Sequence, residues 1–143
     1  MTAKEAEIKY WLNRAFFAEK KANALEMLVK QCRERAQGLT HNSEGNDKGK
    51  SDSTANGTEN ALMKLADMEL KAEQQKTEAV NISAEIQDAI SQLHDDDLET
   101  VLIHRYILFH TIEETAELMH YCRETVKRKT EKAILKLSLI ELE

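Results

Sequence analysis

From Ile8 to Leu39 an apolar or small residue recurs at every third or fourth position without a break: Ile8, Trp11, Ala15, Ala18, Ala22, Leu25, Val29, Cys32, Ala36 and Leu39. Steps that alternate three and four keep one stripe on one side of an α-helix, whereas the faces of a strand alternate every two residues. The chain over 4–39 is therefore predicted to be one long helix, with Leu12, Phe16 and Leu28 widening its apolar face. A second run of the same kind covers 59–93 through Leu65, Met68, Ala72, Gln75, Ala79, Ile82, Ile86, Ala89 and Leu93, with Leu62 and Ile90 beside it. The segment between them, 40–58, holds no large apolar residue and is dominated by Gly, Ser, Asn, Asp and Lys. Such a segment buries too little surface to offset its ordering entropy and reads as a flexible loop. Two long amphipathic helices of matching length predict an antiparallel, coiled-coil-like hairpin over 1–93.

Composition agrees with an all-α fold. The 143 residues include no Pro, four Gly and 5% aromatics. A chain rich in Ala, Leu, Glu and Lys loses little side-chain freedom on forming helix. The net charge of −6 is unevenly distributed. Residues 1–37 carry eight basic and five acidic residues, and residues 59–97 carry three and ten. Opposite signs on the two long arms favour their pairing. Within 121–137 the basic residues Arg123, Lys127, Arg128, Lys129, Lys132 and Lys136 outnumber Glu124 and Glu131, and that local charge is what a polyanion would feel.

After the acidic run Asp95–Asp97, which suits the start of a helix, one helix is predicted from about Asp97 to Leu108, with Leu98, Val101, Leu102 and Tyr106 on one face. Thr111-Ile112-Glu113-Glu114 is a capping box that opens a short helix over 112–119. A tight connection, His120-Tyr121-Cys122, leads to a last helix from Arg123 to about Leu137. Ala116 is small where two helices must cross. His120, four residues on, sits where the turn needs a left-handed backbone. Val126, six further, is the buried anchor of the second helix. This spacing meets the steric requirement of a helix-turn-helix. With Val126 buried, Arg123, Glu124, Lys127 and Arg128 project near the helix N-terminus, the part that enters the major groove in such a motif. Arg and Lys bond guanine edges and Glu accepts from cytosine, while Lys129, Lys132 and Lys136 lie where phosphates would pass.

At these residues the chain resembles region 4 of bacterial sigma factors: Arg105-Tyr106-Ile107, Thr111 to Ala116, Tyr121 to Arg128 and Lys132 to Leu137 carry the likeness. More broadly it resembles small phage-encoded regulators of Gram-positive bacteria of the ArpU/RinA late-gene activator type, in which a Tyr-Leu-Asn-Arg-like N-terminal segment (here Tyr10 to Arg14) and a polar loop precede a sigma-like C-terminus. The resemblance implies promoter binding and transcriptional control, with RNA polymerase as a further partner. The chain departs from the group at Thr115 and Lys129, where an apolar residue is usual, at Cys122 in place of a Ser cap, and at His120 in place of Gly or Asn. Each departure is expected to cost about 1 kcal/mol in lost burial or capping.

Other readings are weaker. Cys32 and Cys122 fit no disulfide or zinc spacing and suit a reducing cytoplasm. The charged N-terminus lacks the apolar run of a signal peptide, and nothing approaches the roughly 18 apolar residues of a membrane span. His104 and His110 are predicted to share no helical face, so no metal, cofactor or catalytic constellation is expected. The expected architecture is a hairpin over 1–93 followed by a helix-turn-helix domain over 94–143. The expected function is sequence-specific binding of double-stranded DNA at a promoter or operator through Arg123, Glu124, Lys127, Arg128, Lys129 and Lys132. A DNA-packaging subunit of the small-terminase kind and a sigma-like module gripping RNA polymerase without DNA are the alternatives, and a homodimer through the hairpin is compatible with each.

Overall fold

The computed structural model describes the backbone of residues 2–43 and 51–140, and side chains for 2–37, 57 and 59–140. Every regular element in these residues is helical: α1 (Ala3–Ser43), α2 (Ser51–Ser91), α3 (Asp96–Leu102), a π-helical turn (Ile103–Ile107), α4 (Ile112–Met119) and α5 (Arg123–Leu139). The chain is all-α, as composition and periodicity predict. The flexible loop expected over 40–58 is corrected at both ends, because α1 continues through Ser43 and α2 begins at Ser51. Residues 44–50 of that loop lie outside the described residues. Extending a nucleated helix gains one hydrogen bond per residue fixed, so a polar end can stay helical without burying anything. No helix among the described residues is long and apolar enough to cross a membrane.

The chain divides into two compact units, one joining residues 1–18 to 79–143 and the other made of residues 19–78. The expected boundary between 93 and 94 falls inside the first unit. The reason is its core. Ile8, Leu12 and Ala15 of α1 and Ile86, Ile90 and Leu93 from the end of α2 are buried with Leu98, Leu102 and Tyr106, and with Ala133, Ile134 and Leu137 of α5. Leu12 is 0% exposed. Phe16 packs edge-on against Phe109, ring centres 5.3 Å apart. The seam residues read from the sequence do face inward, but their partners include the C-terminal helices as well as the other long arm.

In the second unit the seam is made of small residues: Ala22, Val29, Ala36 and Ala72 are its buried apolar side chains. Lys76 meets Glu26 at 3.1 Å and Arg33 meets Glu69 at 2.9 Å. A seven-residue step forward on α1 matches a seven-residue step back on α2, so the helices run antiparallel there. Leu28 and Leu62, expected on or beside the seam, are exposed.

The connection between α2 and α3 turns at His94, which is left-handed (φ 52). Asp95 then caps α3, its Oδ1 accepting from the backbone N–H of Asp97 at 3.1 Å and of Leu98 at 3.2 Å. The single helix expected from Asp97 to Leu108 is instead α3 followed by the π turn, in which Leu108 N–H reaches Ile103 O at 2.9 Å. Wider turns of this kind hold one extra residue, which rotates every later side chain relative to an unbroken α-helix.

Because α1 and α2 supply half of the core around Leu98, Leu102 and Leu137, a fragment of residues 94–143 alone is expected to lack a cooperative unfolding transition by circular dichroism. In the full chain Leu12→Ala should lower stability by about 2–5 kcal/mol in urea denaturation, the usual cost of a cavity at a fully buried leucine.

Candidate nucleic-acid interface

The C-terminal helices are positioned by local hydrogen bonds legible in the sequence. Thr111 Oγ1 accepts from the Glu114 N–H at 3.1 Å, and Glu114 Oε1 accepts from the Thr111 N–H at 3.1 Å. This completes the capping box that opens α4. The bonds from Thr111 hold the Glu114 carboxyl below its ordinary pKa, the backbone N–H contributing most. At the other end of α4 His120 is left-handed (φ 59, ψ 42), and the Tyr121 N–H returns to Ala116 O at 2.9 Å. Cys122 is extended at the start of α5 and its carbonyl accepts from the Val126 N–H at 3.2 Å. Its thiol does not cap the helix; it sits 3.1 Å from Thr125 Oγ1.

Val126 is 0% exposed and packs with Ala116 and Val101, flanked by Ile112, Met119 and Tyr121. The 4-and-6 spacing thus places a small residue, a left-handed turn and a buried branched anchor where the steric argument requires them. Thr115, expected to lose burial, is itself fully buried. Its hydroxyl donates to Thr111 O at 2.8 Å, so the polar atom is satisfied within its own helix.

Asp97 ties the turn to α3. Tyr121 Oη donates to Asp97 Oδ1 at 2.6 Å, and the Lys129 ammonium is ion-paired to Asp97 Oδ2 and lies 5.1 Å from the Tyr121 ring centre. The Lys129 ammonium, and then the Tyr121 hydroxyl, hold the Asp97 carboxyl below its ordinary pKa, and Asp97 in turn raises Lys129.

The six side chains expected to meet DNA therefore fall into different settings. Lys127, Arg128 and Lys132 are exposed on α5 and make no ion pair with any described residue, and Glu124 is exposed beside them. Arg123 is exposed but paired through Nε with Glu113 at 3.2 Å. Lys129 is not a free cation: it is half-buried on Asp97, and its expected role as a phosphate contact gives way to a structural one. Arg128, Lys132 and Lys136 recur every four residues, forming one cationic row on the helix surface. The row runs between exposed Leu135 and Leu139 and the flank of Lys129.

Sequence reasoning missed one pair. His104 and His110 were expected to share no face, yet the left-handed Phe109 (φ 59) folds the chain back so that their Nδ1 atoms lie 3.0 Å apart. The rings stack with centres 5.2 Å apart, and at that Nδ1 separation one N–H donates to the other's lone pair. Arg105 Nη1 donates to His110 O at 2.7 Å, while its Nε is buried without a partner. Burial, and to a smaller degree His110, holds His104 below the ordinary imidazole pKa. No third ligand-type side chain joins the pair to make a metal cluster among the described residues.

A family model described as protein of unknown function (DUF1492) matches residues 43–138. The chain belongs to this family. The matched stretch begins at the end of α1 and takes in α2, α3, the π turn, α4 and nearly all of α5, so the Asp97–Tyr121–Lys129 contact and the Val126 anchor both lie within it. No curated protein and no solved structure matches the chain.

Asp97 has a folded pKa below its unfolded one, so its contribution to stability is present above the unfolded value and is lost as pH falls through the folded value. Acid titration of the urea midpoint should show this loss, and Asp97→Asn should be less stable at neutral pH with a flatter acid limb. Cys122→Ser places a hydroxyl cap at the start of α5 and should raise stability by about 0.5–1 kcal/mol in the same assay.

Proposed function

We propose that this chain is a sequence-specific DNA-binding transcriptional regulator, and that α5 is the helix it lays in the major groove of promoter or operator DNA. The observation that carries the reading is the unpaired cationic surface of Lys127, Arg128, Lys132 and Lys136 on the outer side of a helix whose inner side is fixed by Val126. A groove-reading helix needs both properties. Its backing must be rigid, so that little freedom is lost on binding, and its outer face must offer cations that the protein has not already neutralised.

The roles divide by position. Lys127 and Arg128 in the second turn, with Glu124 before them, reach base edges, where Arg and Lys suit guanine and Glu suits cytosine. Lys132 and Lys136, farther along, contact phosphates and set affinity without sequence preference. Arg123 exchanges Glu113 for a phosphate or a guanine, an exchange of exposed ion pairs with little intrinsic cost. Lys129 takes no part. The resemblance to phage late-gene activators supports a promoter as the setting and a phage or prophage as the source.

Selection of bound duplexes from a random pool, followed by fluorescence anisotropy on the selected sequence, tests the proposal. Lys127→Ala combined with Arg128→Ala should weaken binding at least tenfold and relax the selected sequence. Lys132→Ala should weaken binding to all duplexes alike and make log K against log salt shallower by about 0.9, because one phosphate fewer is neutralised. If the wild type binds no duplex at low salt, or the double variant keeps its affinity and salt slope, the proposal fails.

A further inference from the structure

The second unit is built the wrong way round for a structure that stands alone. Its buried apolar residues are Ala22, Val29, Ala36 and Ala72, while its large apolar side chains point outward: Met27 is 72% exposed, Met63 70%, Leu70 57%, and Leu28 and Leu62 between 42% and 49%. Alanine methyls and one valine bury little area, and two helices held by such a seam lack the apolar burial that stabilises long helices in water. The seam is also incompletely filled: a cleft of about 340 Å³ opens between the helices beside Val29 and Ala72, rimmed by Glu26, Arg33, Glu69 and Glu73.

The outward residues are ordered. On α1, Lys21, Leu28 and Arg35 step by seven, with Ala24 between the first two. On α2, Met63 and Leu70 step by seven, with Ala66 between them and Glu59 one turn before. Each helix therefore carries a second apolar stripe besides the one facing its neighbour, flanked by basic residues on α1 and acidic ones on α2. Residues 19–37 hold five basic and three acidic side chains, and residues 59–78 hold three and five. Lys21, Lys30 and Arg35 on α1, and Glu59 and Glu78 on α2, make no ion pair with a described residue.

We infer that the occupant of this surface is a second copy of the chain: two such units pack side by side as a four-helix bundle, each α1 stripe against the partner's α2 stripe. The charge pattern selects a second copy over an unrelated partner. A surface with a basic apolar stripe on one helix and an acidic apolar stripe on the next is complementary to itself under a two-fold rotation, which sets each stripe against its opposite twice. The same rotation brings Leu28, Met63 and Leu70 of both copies together as the bundle's centre and leaves the Ala-rich seams as close helix–helix approaches. Because antiparallel pairing places Lys76 beside Glu26 and Glu69 beside Arg33, Lys21 lies nearly level with Glu78 along the bundle, and these two meet between copies when the helices align in the same sense.

This inference goes beyond the DNA-binding reading and stands or falls without DNA. Sedimentation of the full chain in the absence of nucleic acid should give twice the monomer mass of 16.4 kDa. Leu70→Glu and Met63→Lys, both at exposed positions, should each yield a monomer that keeps its helical circular dichroism. Lys21→Glu should weaken self-association at least tenfold, and adding Glu78→Lys should restore it. A wild type that stays monomeric at high concentration overturns the inference. So does a dimer indifferent to both apolar substitutions, or an assembly larger than two. Should neither apolar variant remain helical, the wild-type mass and the Lys21/Glu78 exchange decide.

Discussion

The C-terminal helices cannot hold themselves together; they are held by the ends of the two long ones. α3 spans Asp96–Leu102 and α4 spans Ile112–Met119, each far below the length at which an isolated helix persists in water. What keeps them in place is the apolar wall formed by Ile8, Leu12, Ile86 and Ile90, on which Leu98, Leu102 and Leu137 close. The wall fixes α5 from one end of its inner face through Ala133, Ile134 and Leu137, and Val126 fixes the other end against Ala116 and Val101. A helix held at both ends of one face presents its opposite face without freedom to roll. That restraint gives the exposed cations of α5 a defined direction, and it is why the first unit gathers both chain ends.

The basic residues of α5 divide into those the fold uses and those it leaves to solvent. Lys129 is half-buried on Asp97. Arg123 is on Glu113, exposed on both sides, and an ion pair in that setting contributes little net stability. Lys127, Arg128, Lys132 and Lys136 have no such partner. The division follows the helical period: position 129 turns toward α3, while 128, 132 and 136 fall on the far side. A chain acidic overall thus keeps a cationic surface by placing most of its carboxylates on α2, within 59–97, rather than on α5. Net charge carries no information about a surface when the two signs are segregated by helix.

Much of this was legible in the residues. The three-four spacing identified the inward positions of both long helices, because helical periodicity survives whatever packs against it. The capping box at Thr111 and Glu114, the left-handed His120 and the buried Val126 were also readable, since each is set by local sterics or hydrogen bonds. What the residues could not reveal was non-local. Nothing near Ile86 or Ile90 says that they meet Leu98 and Leu137, so the boundary at 93/94 looked natural where the core is continuous. The π turn lies in a run whose apolar spacing suits an ordinary helix, and the meeting of His104 with His110 depends on it and on Phe109. The α1 seam was read correctly at Ala22 and Val29, but Leu28 beside it faces outward because alanines bring the helices too close to cover a broader stripe.

The departures at Thr115 and Lys129 show how a polar residue can occupy a position whose neighbours are apolar. Thr115 keeps the shape of a valine and hands its hydroxyl to the carbonyl of Thr111, one turn back, so no unsatisfied group is buried. Lys129 does something different. Its methylene stem covers Tyr121, and its ammonium reaches Asp97, which Tyr121 also bonds, so one carboxylate fixes both the turn and the flank of α5. An apolar side chain there would bury area but would not select one orientation of the turn against α3, whereas a hydroxyl and an ammonium converging on two oxygens of one carboxylate do. With Asp97 shifted down and Lys129 shifted up, both remain charged throughout the neutral range. The contact therefore acts as a constant constraint rather than a switch, and the orientation of the exposed row on α5 is independent of pH wherever that pair stays ionised.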